Sequence, residues 1–386
     1  MNIQEIMFML ICSEVFQQPI TVDIKKHITP KAYADIYSLS QKHDISNILA
    51  SAFSKIGILS DDDTSKLFRK QLMISIYRYE KINYDFNLIC NTLNQAKIPY
   101  LPLKGSVIRK FYPEAWMRTS CDIDILIHKD NSKNAIKALC DIGFVHENDF
   151  TLHDYSLISL NGTHLELHYS LDTDCKLVDV DKFLNSVWQY TVNETGDFLF
   201  SMTNEMLVFY HIAHMAKHFI NGGCGIRAFV DFWLLKNKIT YDLNTLTTIL
   251  KKTKLLQFYK SVFSLCCVWF NGNKHDEMTQ KMEEYVLTGG IYGSYKNSAI
   301  VNAARGEGKI ESFLKLVFIP RKNLEIIYPK LKTHPVLLPL YHVKRWLKIL
   351  DKNKRDKIHK ITLSRNSVSQ DNIVLTNAFL KDIGLF

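Results

Sequence analysis

The chain has 386 residues, 47% apolar and 23% charged, with a formal net charge of +9. That length is enough for two or three domains with a full core, and the ordinary composition excludes a disordered or fibrous chain. No uninterrupted apolar run approaches the roughly 18 to 20 residues that a membrane span needs.

The opening MNIQEIMFMLICSEVFQQ contains Glu5 and Glu14 and lacks a basic start, so it reads as an amphipathic first helix rather than a signal peptide. The expected location is therefore cytoplasmic. Eight scattered cysteines without a C-x-x-C pair fit a reducing compartment. Residues 1–97 read as an N-terminal helical segment. Apolar residues recur at helical spacing from Lys31 to Gly57 and from Lys66 to Ile98, SDDDTSK supplies a helix start, and Pro19, Pro30 and Gly57 punctuate the segment.

From Pro99 the period changes. YLPLKG reads as a short strand ending in glycine, SVIRKFY as a helix-length piece, and CDIDILIH alternates as a strand does. SKNAIKALCDIGF follows as an amphipathic helix ending at Gly143. YSLIS and THLELH then form a hairpin, because Asn161-Gly162 between two alternating runs is a strong turn signal. Residues 98–200 are thus expected to form a mixed α/β core.

Residues 201–386 return to the helical period, in NEMLVFYHIAHMAKHF, RAFVDFWLLKN, LNTLTTILKKT, LLQFYKSVFSLCCVWF and EMTQKMEEYVL. The C-terminal helical domain ends in a basic tail. From Lys309 onward there are 16 Lys and Arg against 6 Asp and Glu. Such a region can attract nucleic acid or an anionic membrane surface, or simply keep the chain soluble. HPVLLPLYHVKRWLKIL is basic and amphipathic, suited either to packing on the preceding helices or to lying on a membrane.

Two aspartates interrupt the most apolar of the strands. Alternation places Asp122, Asp124 and Leu126 on one face and Ile123, Ile125 and Ile127 on the other, toward a core. The same rule puts His164, Glu166 and His168 together. If the two strands are neighbours, three carboxylates converge. Their mutual repulsion is relieved by bound divalent cations, and Mg2+ (or Mn2+) prefers carboxylate and phosphate oxygens. Gly105-Ser106, after a strand and at a helix start, suits the approach of a phosphate.

Apolar strand, Gly-Ser, helix, Asp-Ile-Asp strand and a later acid, in that order, resemble the pattern of the nucleotidyltransferase superfamily. LPLKGSVIRKFYPEAWMRTSCDIDILI is similar, more narrowly, to a bacterial family of uncharacterised nucleotidyltransferase-like proteins. HIAHMAKHFINGGCGIRAFVDFWLL is similar to that family's downstream helical signature. The resemblance implies an α+β nucleotidyltransferase fold with flanking helices. It also implies metal-dependent transfer of a nucleoside monophosphate from an NTP to an acceptor, with release of pyrophosphate. It assigns phosphate to Gly105 and Ser106, metal and catalysis to Asp122 and Asp124, and the third carboxylate to Glu166, where the superfamily pattern has Asp.

Lys104 beside the glycine turn is expected to meet phosphate. Arg118 either pairs with Asp122 or holds a phosphate, and Arg109 reads as surface. Leu207, His211, His214 and His218 share a helix face with Lys217 beside it. By resemblance His214, Lys217 and His218 approach the nucleotide, with Arg227 and Asp231 from the next helix; zinc at His214 and His218 and plain helix packing are the other readings. His168 is either a surface histidine or a support to a metal ligand. No P-loop, G-x-G-x-x-G or G-x-S-x-G motif is present, which argues against P-loop ATPases, Rossmann dehydrogenases and α/β-hydrolases.

The acceptor, whether small molecule, RNA or protein, is not encoded in these motifs. A contrasting reading is a non-catalytic nucleotide- or RNA-binding module working through the basic tail. A third is a membrane-surface partner of polysaccharide synthesis.

Overall fold

Local capping starts the N-terminal helices. Asn2 and Glu5 form a reciprocal capping box at the first turn of α1 (Ile3–Phe16), and Thr29 caps α2 (Pro30–Lys42), which has proline at its first position. After α3 (Ser46–Lys55), the Asp62 carboxylate accepts the Ser65 N–H and opens the 33-residue α4 (Asp63–Gln95). The structure is a computed structural model that describes residues 1–150, 153–171, 177–193, 196–290, 295–304, 321, 324, 328, 330–349 and 370–386.

A five-stranded mixed sheet follows, formed by β1 (Tyr100–Pro102), β2 (Asp122–Ile127), β3 (Val145–Phe150), β4 (Asp154–Ile158) and β5 (His164–His168). Its order is β1-β2-β5-β4-β3. β2 and β5 run parallel, with Asp122 opposite His164 and Asp124 opposite Glu166; the other neighbours are antiparallel. The parallel pair requires a crossover, supplied by α6 (Ser132–Asp141) together with β3 and β4.

Alternation then sorts the two faces as expected. Ile123, Ile125 and Ile127 are fully buried with Leu165 and Leu167, against Ile82, Ile89 and Leu93 of α4 and Ala135 and Leu139 of α6. Burial of each such side chain contributes roughly 1.5–3 kcal/mol. The opposite face carries the acids. α6 stops at Gly143, where φ is +98°. The Gly143 N–H bonds the Cys140 carbonyl and the Phe144 N–H the Leu139 carbonyl, a Schellman stop that favours glycine. At the β4–β5 turn, Ser159 and Asn161 donate to the buried Asp85 carboxylate of α4, which pins the hairpin to the helix behind the sheet.

SVIRKFY departs from its expected length. One α-helical turn, α5 (Gly105–Ile108), runs into a 3-10 turn at Arg109–Phe111, and Tyr112 is extended with ψ 153°. Pro113 follows, and a residue before proline is pushed out of the helical region.

After α7 (Val178–Leu184) and a two-stranded ribbon of β6 (Thr191–Val192) and β7 (Ser201–Met202), Thr203 caps α8 (Asn204–Ile220). α9 (Ile226–Lys238), α10 (Leu243–Lys252), α11 (Leu256–Asn271) and α12 (Glu277–Gly289) come next. Their apolar faces merge with those of α1 to α3 into a second core, in which the Phe8 ring stacks 4.5 Å from that of Trp269. The fold class is α+β. Helices Leu338–Ile349 and Gln370–Asp382 lie farther along, and DKNKRDKIHK falls outside the described residues. Among the described residues no helix is long and apolar enough to cross a membrane.

His43 caps the end of α2, and its Nδ1 accepts the N–H of Ile226 at the start of α9, joining the N-terminal helices to the C-terminal ones. Burial, then the nearby Lys42 ammonium, pushes this imidazole down to about 4. A folded-state value below the ordinary one means that the contribution is complete above about pH 6.5 and is lost as pH falls through 4. Chemical denaturation from pH 7 to 4 should show about 3 kcal/mol of stability disappearing on account of this residue. His43→Gln should flatten that part of the profile; an unchanged slope counts against the assignment.

Candidate active site

Asp124 and Glu166, paired across β2 and β5, face a cavity of about 320 Å3 between the sheet and α8 and α9. The sheet side contributes Lys104, Gly105, Asp122, Asp124 and Glu166. The helical side contributes Leu207, Tyr210, His211, His214, Lys217 and His218 of α8, and Arg227 and Asp231 of α9. The Leu207–His211–His214–His218 face expected from helical spacing is thus turned onto the acids.

The Lys104 ammonium lies 2.5 Å from Asp124 Oδ1 and 3.8 Å from Glu166 Oε2, bridging the two carboxylates. Lys104 has φ +46°, a left-handed conformation uncommon for a residue with a side chain. His168 Nε2 approaches the same Asp124 oxygen at 2.9 Å and Glu166 Oε2 at 3.3 Å. Burial alone would raise the Asp124 carboxyl, but the Lys104 charge and the His168 bond outweigh it and hold Asp124 well below the usual carboxylate range. At Asp122 burial, then the Asp124 charge, prevails and raises the carboxyl. Burial lowers Lys104, yet Asp124 and Glu166 more than reverse it; His168 is likewise lowered by burial and raised overall by its bonds to Asp124 and Glu166.

The facing histidines behave oppositely. Burial, then the His218 and Lys104 charges, holds His214 far below its ordinary value, and burial with Lys217 brings His218 down to about 4. His211 is lowered mainly by burial and meets the Ala228 carbonyl at 2.8 Å. This wall is therefore neutral imidazole near pH 7, offering hydrogen bonds rather than charge. His214 and His218 join each other, Nε2 to Nε2 at 3.0 Å.

Among the described residues, the group of His, Cys, Asp or Glu able to surround a metal ion is Asp124, Glu166 and His168, whose ligand atoms lie within 4.8 Å of one another. Two carboxylates and an imidazole are a donor set that a divalent ion accepts, so these residues fit a metal. Asp122 lines the same cavity, two residues back on the same face of β2.

Several expectations need revision. Arg118 pairs with Asp231, its Nε 3.0 and 2.9 Å from the two carboxylate oxygens, and not with Asp122. Asp231 also accepts the Tyr112 hydroxyl at 2.7 Å and is 1% exposed, so it holds the arginine in place. Arg227 donates to Asp44 and, at 2.9 Å, to Thr119 Oγ1, while Thr119 donates to the same Asp44 oxygen. Arg109 is buried, not surface; its Nε reaches the Gly105 carbonyl and its Nη2 the Ser120 hydroxyl. Ser106 is not on the cavity wall, and its N–H is taken by the Leu103 carbonyl. Gly105 is on the wall, where an added Cβ would sit 3.3 Å from that of Ser120. His168 is buried at the centre of the acids.

Asp44 and Tyr210 escaped sequence reasoning, and Tyr112 lies in the Tyr-Pro of the stretch that carries the resemblance, which assigns it no role. Asp44 sits in the α2–α3 turn with nothing local to mark it. Tyr210 precedes His214 by four residues, so the helical face that revealed the histidines could have revealed it as well.

A model of the family described as "Uncharacterised nucleotidyltransferase" matches residues 30–271. No curated protein and no solved structure matches the chain.

Proposed function

Because the chain belongs to the uncharacterised nucleotidyltransferase family, we propose that it transfers a nucleoside monophosphate from an NTP to an acceptor hydroxyl or phosphate. The observation that carries this reading is the in-register pair Asp124 and Glu166, bridged by Lys104, at the floor of a cavity roofed by His214, Lys217 and His218.

The acceptor oxygen bonds to the α-phosphorus, a hydroxyl acceptor giving up its proton to water, while the bond to the bridging oxygen breaks and pyrophosphate leaves with that electron pair. Asp124 and Glu166, with Asp122 beside them, would hold divalent cations, which supply neutralisation of the polyphosphate and a more acidic acceptor hydroxyl. Lys104 is placed to exchange its carboxylate partners for phosphate oxygens. Neutral His214 and His218 donate or accept hydrogen bonds without repelling or trapping the anion. Arg118 and Arg227, each anchored by a carboxylate, add fixed positive charge to the wall. Catalysis on this reading is positioning and charge compensation.

The test incubates wild type and the Asp122→Asn/Asp124→Asn pair with each α-labelled NTP, Mg2+ or Mn2+, and cell extract. Label should pass to an acceptor with wild type alone; equal labelling by both proteins rejects the reading. Nothing in the described residues favours the RNA-binding alternative, since much of the basic tail lies outside them.

A further inference from the structure

We propose that His168 is itself a metal ligand, so that the ion between β2 and β5 is held by Asp124, Glu166 and an imidazole nitrogen, and that the site prefers a transition-metal ion to Mg2+. The inference deepens the nucleotidyl-transfer reading and rests on it for the ion's purpose, but its geometry is independent of any substrate.

Ligands held about 2.1 Å from a six-coordinate ion lie about 3.0 Å apart when adjacent. His168 Nε2 lies 2.9 Å from Asp124 Oδ1 and 3.3 Å from Glu166 Oε2, the spacing of neighbouring ligands on one ion. A surface histidine has no reason to adopt it; His168 is 9% exposed and closed in by the sheet. The place already draws a cation, because the Lys104 ammonium sits 2.5 Å from the same Asp124 oxygen.

The outer nitrogen supports the same assignment. His168 Nδ1 faces Asp154 Oδ2 at 3.9 Å across the β4–β5 pair. Nε2–H donates to Asp124 here, so an ion between the acids would displace that proton and the remaining one would sit on Nδ1, toward Asp154, with a carboxylate behind the imidazole as is common for metal-bound histidine. Register sets both neighbourhoods: Asp154 pairs with His168 and Asp124 with Glu166. An imidazole in the set favours first-row transition ions, whereas Mg2+ seeks oxygen ligands.

The measurement uses the full chain with Mn2+ alone, without NTP. Pulsed EPR of the Mn2+-loaded wild type should show modulation from a directly bound nitrogen, and calorimetry should give Mn2+ an affinity at least about tenfold above Mg2+. His168→Gln should abolish the modulation and weaken Mn2+ at least about tenfold while changing Mg2+ much less. His164→Gln, on the same strand, should retain the modulation. Absence of nitrogen modulation in wild type overturns the proposal even if His168→Gln fails to fold, as does modulation that survives His168→Gln. Nitrogen-bound Mn2+ in a protein that transfers no nucleotide would uphold the ligand and reject only the nucleotidyl-transfer reading.

Discussion

Asp124→Asn is expected to lower NTP-dependent pyrophosphate release by about 10³-fold or more, corresponding to roughly 4 kcal/mol of lost transition-state stabilisation. The substitution preserves volume and one oxygen but removes the charge. Asp124 is buried, and its Oδ1 is shared by Lys104 and His168. Neutralising it therefore weakens three things together: the attraction for a cation, the placement of Lys104 and the orientation of His168. Glu166→Gln should lose less, because Glu166 is half-buried and lies 3.8 Å from the ammonium. The comparison is made on pyrophosphate release with saturating NTP and cell extract as the source of acceptor. Asp124→Asn within about tenfold of wild type would remove Asp124 from the reaction.

Much of this centre was legible because strand periodicity is a local rule. Asp122 and Asp124 had to share a face, as did Glu166 and His168, once β2 and β5 were strands. The sequence could not show that the two strands run side by side and parallel, with Asp124 opposite Glu166. α6, β3 and β4 lie between them in the chain, and their packing sets the register. The α8 face was legible for the same reason, from a 3.6-residue period. What remained hidden were partnerships across long stretches of chain. Arg118 finds Asp231, and Arg227 finds Asp44, only because the N-terminal helices and α9 meet over the loop between α5 and β2. Arg118 has an acid four residues away at Asp122, a plausible partner on a helix, but residues 115–117 form a single 3-10 turn. The i,i+4 geometry that would join them never forms.

Removing one partner of the Arg118–Asp231 pair should be costly to stability. Asp231→Ala is expected to destabilise the fold by about 3–5 kcal/mol, because a buried arginine is left without its counter-ion. The Arg118 side chain is 10% exposed and that of Asp231 2%. Burial acts to lower the guanidinium, and Asp231 chiefly reverses this and raises it. The Tyr112 hydroxyl, also buried, loses its acceptor in the same variant. The pair itself is a different matter. Desolvating two charges cancels much of their attraction, so Arg118→Met with Asp231→Leu should recover most of the loss, as replacement of buried ion pairs by apolar side chains often does. Urea denaturation of the wild type, Asp231→Ala, Arg118→Met and the Met/Leu double variant separates the two effects. If Asp231→Ala shifts the midpoint no further than an exposed-site substitution does, the ion pair is not what joins α9 to the loop before β2. If it shifts the midpoint strongly and the double variant restores it, then the pair serves position rather than net stability: it fixes a positive charge on the cavity wall, where an incoming polyphosphate would meet it.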